Sequence, residues 1–512
     1  MGGYQMKIER ILIEDQMAPI GLDEKKPAFS WLLTAEEGEQ NLMQSACRIV
    51  VRTGEDTVWD SGKMETGVST GIGYEGEALQ PCTKYEVKAE VWDNHGGKAE
   101  AESSFETGLM DSLYAAWEGA EWIGAPHATV CAENRGVFTI ESEFRMEGGK
   151  GEAGIVFGAN DFRLNDHTKN ELGMEGENYI RYAVCLEDGD ARLEIYRVGY
   201  APEDTAEKPF AVTKLVNWKE KTQEILTPEN ADAFHKLTVE VDGNVAYAYV
   251  DGILVDAIEE HGFFGTKVSG RQLNPRGNND VLPYPRLNEI GFYAGKGTTG
   301  YFKNLTVRNV RKPSAEIVRE TPEGRLDGGK SIFADQIPVE NGYFKVEDSQ
   351  ITADPSHHSI PMLRSCISCQ KEKKLVSARL YITARGIYDC RINGQEITED
   401  LLRPGLTQYD HRMNYQTYDI TGLMKSGRNG IGVTLASGWW SEAQTFVVKN
   451  FNYFGDKESL LAKVVMKYED GSREVFGTNT EDWKYFGEGP YLFSSYFAGE
   501  QYDARRAEVY ET

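Results

Sequence analysis

Between Arg379 and Trp440 the chain changes character at every residue. Leu380, Ile382 and Ala384 alternate with Tyr381 and Thr383, and Tyr388, Cys390 and Ile392 alternate with Asp389 and Arg391. Successive side chains of an extended strand point to opposite faces, so a period of two predicts strands with one face on a core. Asn393-Gly394 then supplies a tight turn, because both residues tolerate the positive φ angles of a type I′ hairpin. Arg403-Pro404-Gly405 forces a corner, residues 414–418 alternate again, and Ile431, Val433 and Leu435 form a further strand ending at Gly438-Trp439-Trp440. The run reads as one continuous β-meander. Several short strands with regular turns predict a sandwich or jelly roll.

Within it stand the strings SARLYIT (377–383), YDCRING (388–394), LRPGLTQYDHRMNYQTYDIT (402–421) and GVTLASGWW (432–440), with GPYLFSSYFAGEQYDARR closing the region at 489–506. Together they resemble the N-terminal β-sandwich of bacterial α-L-rhamnosidases. The lead-in WEGAEWIGA, residues 117–125, resembles the opening of that sandwich, and in simpler members an arginine-containing strand follows closely. Here the matching segment, Pro361-Met362-Leu363-Arg364, arrives only far downstream. That departure implies an inserted domain.

The fold expected is all-β, with three consecutive β-sandwiches. Residues 1–112 carry strand patterns at 46–52 and 85–92. The run from Leu79 to Val87 is similar to the fibronectin type III pattern, in which Tyr85 would tie its hydroxyl back to the preceding corner. Residues 127–312 form the insertion. Its strand pattern at 237–241, the turns Asp242-Gly243 and Asp251-Gly252, and the later strands at 287–293 and 301–310 resemble a concanavalin-like jelly roll of the laminin-G kind. Residues 256–286, rich in Gly, Asn and Pro, are expected to be a long loop at one end of it. Residues 113–126 with 313–505 make the rhamnosidase-type jelly roll. The polar stretch 312–330 reads as a linker, and 506–512 begin a connection onward.

Charge and motifs narrow the functions. With 81 acidic residues against 55 basic, the net charge of −26 repels phosphate backbones and anionic lipid, which argues against nucleic acid as a partner. No apolar run reaches the roughly 20 residues of a membrane span, and none at the start resembles a signal peptide. A cytoplasmic chain is the expectation, and the seven cysteines fit free thiols. Cys366 and Cys369 form a C-x-x-C without a second pair at zinc-ligand spacing, and the histidines assemble no ligand set, so neither a metal nor a cofactor is expected. Residues 149–154 and 295–300 both satisfy G-x-G-x-x-G. Each is followed by a strand where a dinucleotide fold needs a helix, so both read as hairpin loops.

Two groups of residues could meet a ligand or another domain. Trp439 and Trp440, with Glu442 just beyond, stand at a strand end where a ring can stack on a sugar and a carboxylate can accept from its hydroxyls. Alternation at the strand end would put one tryptophan in the core and the other outside. Arg403, Tyr409, Asp410 and Arg412 are compatible with sugar contact, with a structural salt-bridge corner, or with a surface that docks on a catalytic domain. Inverting glycoside hydrolysis needs an acid and a base about 6.5–9.5 Å apart, and no spacing here singles out such a pair. The resemblance places the catalytic acids on an (α/α)6 barrel beyond this region and no catalytic residue within it. It implies the N-terminal, non-catalytic portion of an α-L-rhamnosidase, a truncated piece that is inactive alone. Its partners would be its own C-terminal barrel and, through the whole enzyme, rhamnose-containing glycosides. The alternative is an autonomous carbohydrate-binding protein without hydrolase activity.

Overall fold

In the computed structural model, all residues are described except 1–5, 36–40, 127–136, 162–176, 188, 202, 216–224, 228, 243–244, 256–267, 270–272, 274–286, 311, 357, 443–452, 497–498 and 508–512. The expected loop at 256–286 therefore lies almost wholly outside the described residues. So do Gly243 of the first expected turn, His357 and most of 506–512.

The N-terminal sandwich contains β1 (Met6–Ile13), β2 (Ala28–Ala35), β3 (Gln44–Thr53), β4 (Asp56–Asp60), β5 (Lys84–Asp93) and β6 (Lys98–Glu106). β1 pairs with β2, which also pairs with a short strand at Ile72–Gly73, and the second sheet runs β4-β3-β5-β6. The alternating apolar residues Ile49, Val51, Tyr85, Val87 and Val91 meet Phe29, Trp31 and Phe105 between the sheets. Tyr85 forms the expected corner, its hydroxyl accepting from the Gln80 backbone N–H at 2.8 Å. The indole of Trp31, too polar at one end to be buried unsatisfied, donates to Gln44 Oε1 at 2.9 Å.

The inserted sandwich has β7 (Val137–Met146), β8 (Gly151–Ala159), β9 (Tyr179–Glu187), β10 (Asp190–Val198), β11 (Phe210–Leu215), β12 (His235–Asp242) and β13 (Val245–Val250). It continues with β14 (Glu289–Ala294), β15 (Thr299–Phe302), β16 (Leu305–Asn309), β17 (Lys312–Thr321), β18 (Tyr343–Glu347) and β19 (Gln350–Ala353). One sheet runs β11-β10-β9-β8-β14-β19; the other contains β13-β12-β7-β15-β18 with β16 and β17 attached. Phe138, Phe144, Phe157, Phe292, Phe302 and Phe344 fill the space between them. The turn at Asp251-Gly252 has φ of 54° and 79°, as a type I′ hairpin requires.

Three expectations change in this region. The stretch 312–330 is no linker, because β17 pairs with β16 and strands as late as β19 extend both sheets, carrying the sandwich to Ala353. Its polar residues misled because they face outward in pairs: Arg308 binds Glu316 at 2.7 Å while Val318 is buried beneath. The two glycine-rich runs are not hairpins either. Residues 149–154 lead from β7 to β8 and residues 295–300 from β14 to β15, and each of those pairs is split between the two sheets. The runs lie side by side, with the Glu152 N–H donating to Thr298 Oγ1 at 3.0 Å.

The last sandwich has β20 (Met362–Cys369), β21 (Leu375–Arg385), β22 (Ile387–Ile392), β23 (Gln416–Asp419), β24 (Gly427–Ala436), β25 (Ser459–Tyr468) and β26 (Arg473–Gly477). β22, β24 and β20 form one sheet, and β23-β21-β25-β26 the other, which Ile123–Gly124 joins by pairing with Ser459 and Leu460. The continuous meander is thus corrected. β21 and β22 belong to opposite sheets, and Gly386 between them has φ of 112°, where a side chain would also run into the Ala436 carbonyl. The Asn393-Gly394 turn holds, with φ of 51° and 80°.

The outer face of the β21–β25 sheet is covered by the connector from the N-terminal sandwich. Leu109, Trp117 and Ala120 pack there on Tyr381, Leu461 and Val465. Arg379 grips Glu106 with two hydrogen bonds of 2.6 and 2.7 Å, and the Tyr415 hydroxyl donates to Asp23 at 2.8 Å while accepting from the Leu109 N–H at 2.7 Å.

Candidate functional site

After β24 the chain turns into one helical turn, Gly438–Ser441, where an extended strand end was expected. Gly438 has φ of 51°, and a Cβ there would approach Ile387 to 2.7 Å. The helical turn defeats the alternation argument: Trp439 and Trp440 are both half-buried, and neither is the core residue expected of the pair. Trp440 donates from its indole to the Lys457 carbonyl at 3.0 Å. Its ring meets Tyr409 edge-on at 5.8 Å and stacks with Phe454 at 6.3 Å, while Trp439 lies 4.4 Å from Tyr496. Gly455 is required beneath, since any Cβ would overlap the Trp440 indole.

Two carboxyls sit under this aromatic cluster. Glu442 is completely buried. Glu458 is nearly so, accepts from Ser441 Oγ at 2.5 Å, and has its pKa pushed up by burial, with the serine hydrogen bonds only partly offsetting that. A carboxyl that keeps its proton more tightly when folded stabilises the fold fully below the ordinary carboxylate range. That contribution is lost as pH rises through the raised value. Glu458→Gln, which keeps the acceptor and cannot ionise, is expected to flatten the fall in Tm as pH rises above the ordinary carboxylate range. Parallel Tm curves for the two proteins would show that Glu458 is hydrated.

The other residues singled out by sequence separate. Tyr409 joins the cluster, its hydroxyl donating to the Gly405 carbonyl at 2.9 Å and its pKa raised to about 12 by burial. Arg403 is buried at the corner, pairs with Asp389 at 3.0 Å and lies 5.2 Å from the Tyr388 ring. Asp410 and Arg412 stand exposed, as do Leu401, Leu402 and Leu406 earlier in the same stretch, of which Leu401 is 83% exposed. Cys366 and Cys369 point to opposite faces of β20, one exposed and one buried, so they cannot chelate together. Among the described residues no group of three or more His, Cys, Asp or Glu could hold a metal ion, and no helix is long and apolar enough to cross a membrane.

Sequence reasoning missed Arg385, Trp122, Phe454, Tyr496 and Glu458. Arg385 ends β21 with its guanidinium 4.5 Å from the Trp122 ring and 5.3 Å from Trp440. The one available signal was its place before Gly386 at a sheet-to-sheet corner. Partners so distant in sequence give none.

Three sandwiches, the second inserted between a single paired strand and the remainder of the third, define the class: a multidomain β-chain with an aromatic and arginine-rich strand end. Residues 373–511 match the family model described as the α-L-rhamnosidase N-terminal domain, and residues 8–111 match that of the Rha78A-like, N-terminal immunoglobulin domain. By these two matches the chain is similar to the N-terminal portion of α-L-rhamnosidases. Its first sandwich matches an immunoglobulin domain where the tyrosine corner suggested fibronectin type III, two patterns on one sandwich architecture. An α-L-rhamnosidase of Streptomyces avermitilis is 26% identical over 504 residues, covering 96% of this chain and 42% of that protein. One from Formosa agariphila is 39% identical over 132 residues, 25% of this chain and 14% of its own length. The crystal structure of the Streptomyces avermitilis α-L-rhamnosidase complexed with L-rhamnose superposes with a TM-score of 0.54 at 21% identity, over 98% of this chain and 43% of that one. The chain thus spans less than half the length of these relatives.

Proposed function

We propose that these 512 residues are the N-terminal β-portion of an α-L-rhamnosidase that releases terminal α-L-rhamnose from glycosides by inversion, and that the β-domains hold and position its catalytic domain. The alignment with the Streptomyces avermitilis relative carries this reading, because it runs through all three sandwiches rather than through one widespread module. The exposed leucines Leu401, Leu402 and Leu406, followed in the chain by exposed Asp410 and Arg412, support it by offering apolar surface for the catalytic domain to dock on. No turnover of a chromogenic α-L-rhamnoside above a mock-purified control is expected from the 512 residues alone. Turnover by the isolated chain would overturn the scaffold reading. In a polypeptide that also carries such a catalytic domain, Leu401→Asp with Leu406→Asp is expected to lower Tm, and in the 512 residues alone to leave it nearly unchanged.

A second reading, an autonomous carbohydrate-binding protein, is favoured by the half-exposed rings of Trp439 and Trp440. A monosaccharide on so open a surface would bind at roughly millimolar Kd. Calorimetric titration of the chain with rhamnose checks it: Trp439→Ala or Trp440→Ala should abolish the heat while the fold survives.

A further inference from the structure

Among the described residues, Arg385 breaks a rule that the other partly buried arginines obey. Arg379 is paired with Glu106 at 2.6 Å, Arg197 with Asp204 at 2.5 Å and Arg403 with Asp389 at 3.0 Å, as expected where acidic residues outnumber basic ones 81 to 55. Among the described residues no carboxylate pairs with Arg385. Its guanidinium lies over the Trp122 ring at 4.5 Å and over the Trp440 ring at 5.3 Å, and burial lowers its pKa, so the charge has lost water without gaining a counter-charge. The planar group presents its N–H donors in a fixed fork, and a cation–π contact with a ring does not use them as hydrogen bonds to an acceptor oxygen.

The surroundings add to this. Lys457 is exposed, donates to the Pro126 carbonyl at 3.1 Å, and forms no ion pair among the described residues; its own carbonyl receives the Trp440 indole N–H. The nearest buried carboxyl in sequence, Glu458, is pushed toward its neutral form by burial. Trp440 also meets Tyr409 edge-on and Phe454 face to face, and the exposed Tyr453 adjoins Phe454, so aromatic side chains stand beside the guanidinium for a sugar ring to pack on.

We propose that the Trp122–Arg385–Trp440 stack is the anchor of a binding site for an acidic saccharide, its carboxylate held on the edge of Arg385 and its ring against the neighbouring aromatic side chains. A carboxylate matches the planar fork and restores the missing counter-charge, which a neutral hydroxyl does only weakly. The inference deepens the reading of this face as a saccharide surface and does not depend on hydrolysis.

The test titrates the full 512-residue chain by calorimetry with D-glucuronate, D-glucose, L-rhamnose, acetate and inorganic phosphate. Glucuronate is expected to bind at roughly millimolar Kd, with glucose and acetate each at least about tenfold weaker, and to weaken as salt is added. Arg385→Gln should lose at least about tenfold for glucuronate with Tm unchanged, and Arg385→Lys, which keeps charge without the fork, should fall between. Glucose binding as well as glucuronate, acetate or phosphate matching it, or Arg385→Gln retaining full affinity would each overturn the proposal. Rhamnose failing while glucuronate binds would sink the rhamnose-binding reading alone and leave this one standing.

Discussion

Replacing Arg379 by alanine is expected to cost about 3–5 kcal/mol of stability, because it strands the Glu106 carboxylate at a dry junction between two sandwiches. Both side chains are largely buried, 13% and 16% exposed, and the guanidinium also holds Asp419 at 2.6 Å. Around them the connector packs Trp117 and Leu109 on Tyr381, and Lys463, 2% exposed, donates to the Ala116 carbonyl at 2.6 Å. The loss should therefore be felt by both sandwiches together. Arg379→Lys keeps the charge without the fork and should recover part of it. Urea unfolding monitored by tryptophan fluorescence gives the difference; a change below about 1 kcal/mol would mean that water screens the pair as at an ordinary surface.

Phe292→Ala is expected to cost about 3–5 kcal/mol, confined to the inserted sandwich. Phe292 is completely buried on β14, and its ring lies 4.6 Å from Phe302, 5.0 Å from Phe333 and 5.4 Å from Phe344. Phe302 and Phe344 come from the opposite sheet, so the truncation opens a cavity between the two layers. Phe333 lies in the stretch read from sequence as belonging to the following domain. Phe333→Ala should destabilise the same cooperative unit as Phe292→Ala, and the two losses should be non-additive in the double variant, since the rings touch. Additive losses, or a Phe333 effect on the last sandwich alone, would count against the extension of the inserted sandwich to Ala353.

Alternation in β21, β22 and β24, the Asn393-Gly394 turn and the Tyr85 corner were all legible in the sequence, because each depends on residues within a few positions of one another. The strings of the last sandwich likewise sufficed to point to the α-L-rhamnosidase N-terminal domain that its family model matches. Which strand pairs with which was not legible. β21 and β22 alternate alike whether they form a hairpin or turn a corner between sheets, and only the φ of Gly386 and the partners waiting on each side decide it. The polar surface of β17 looked like a linker for the same reason: a strand with one face in water and ion pairs along it has the composition of a loop. At the strand end, a single helical turn put both tryptophans on the rim, where alternation would have buried one. Trp122, Arg385 and Trp440 meet from three distant segments, and no local pattern encodes such a meeting. The sequence by itself determined the elements and the kind of domain, since these follow from short-range periodicity. Only the tertiary structure decided the sheet partners and the assembled site, because burial and missing counter-charges are properties of neighbours the chain brings together after folding.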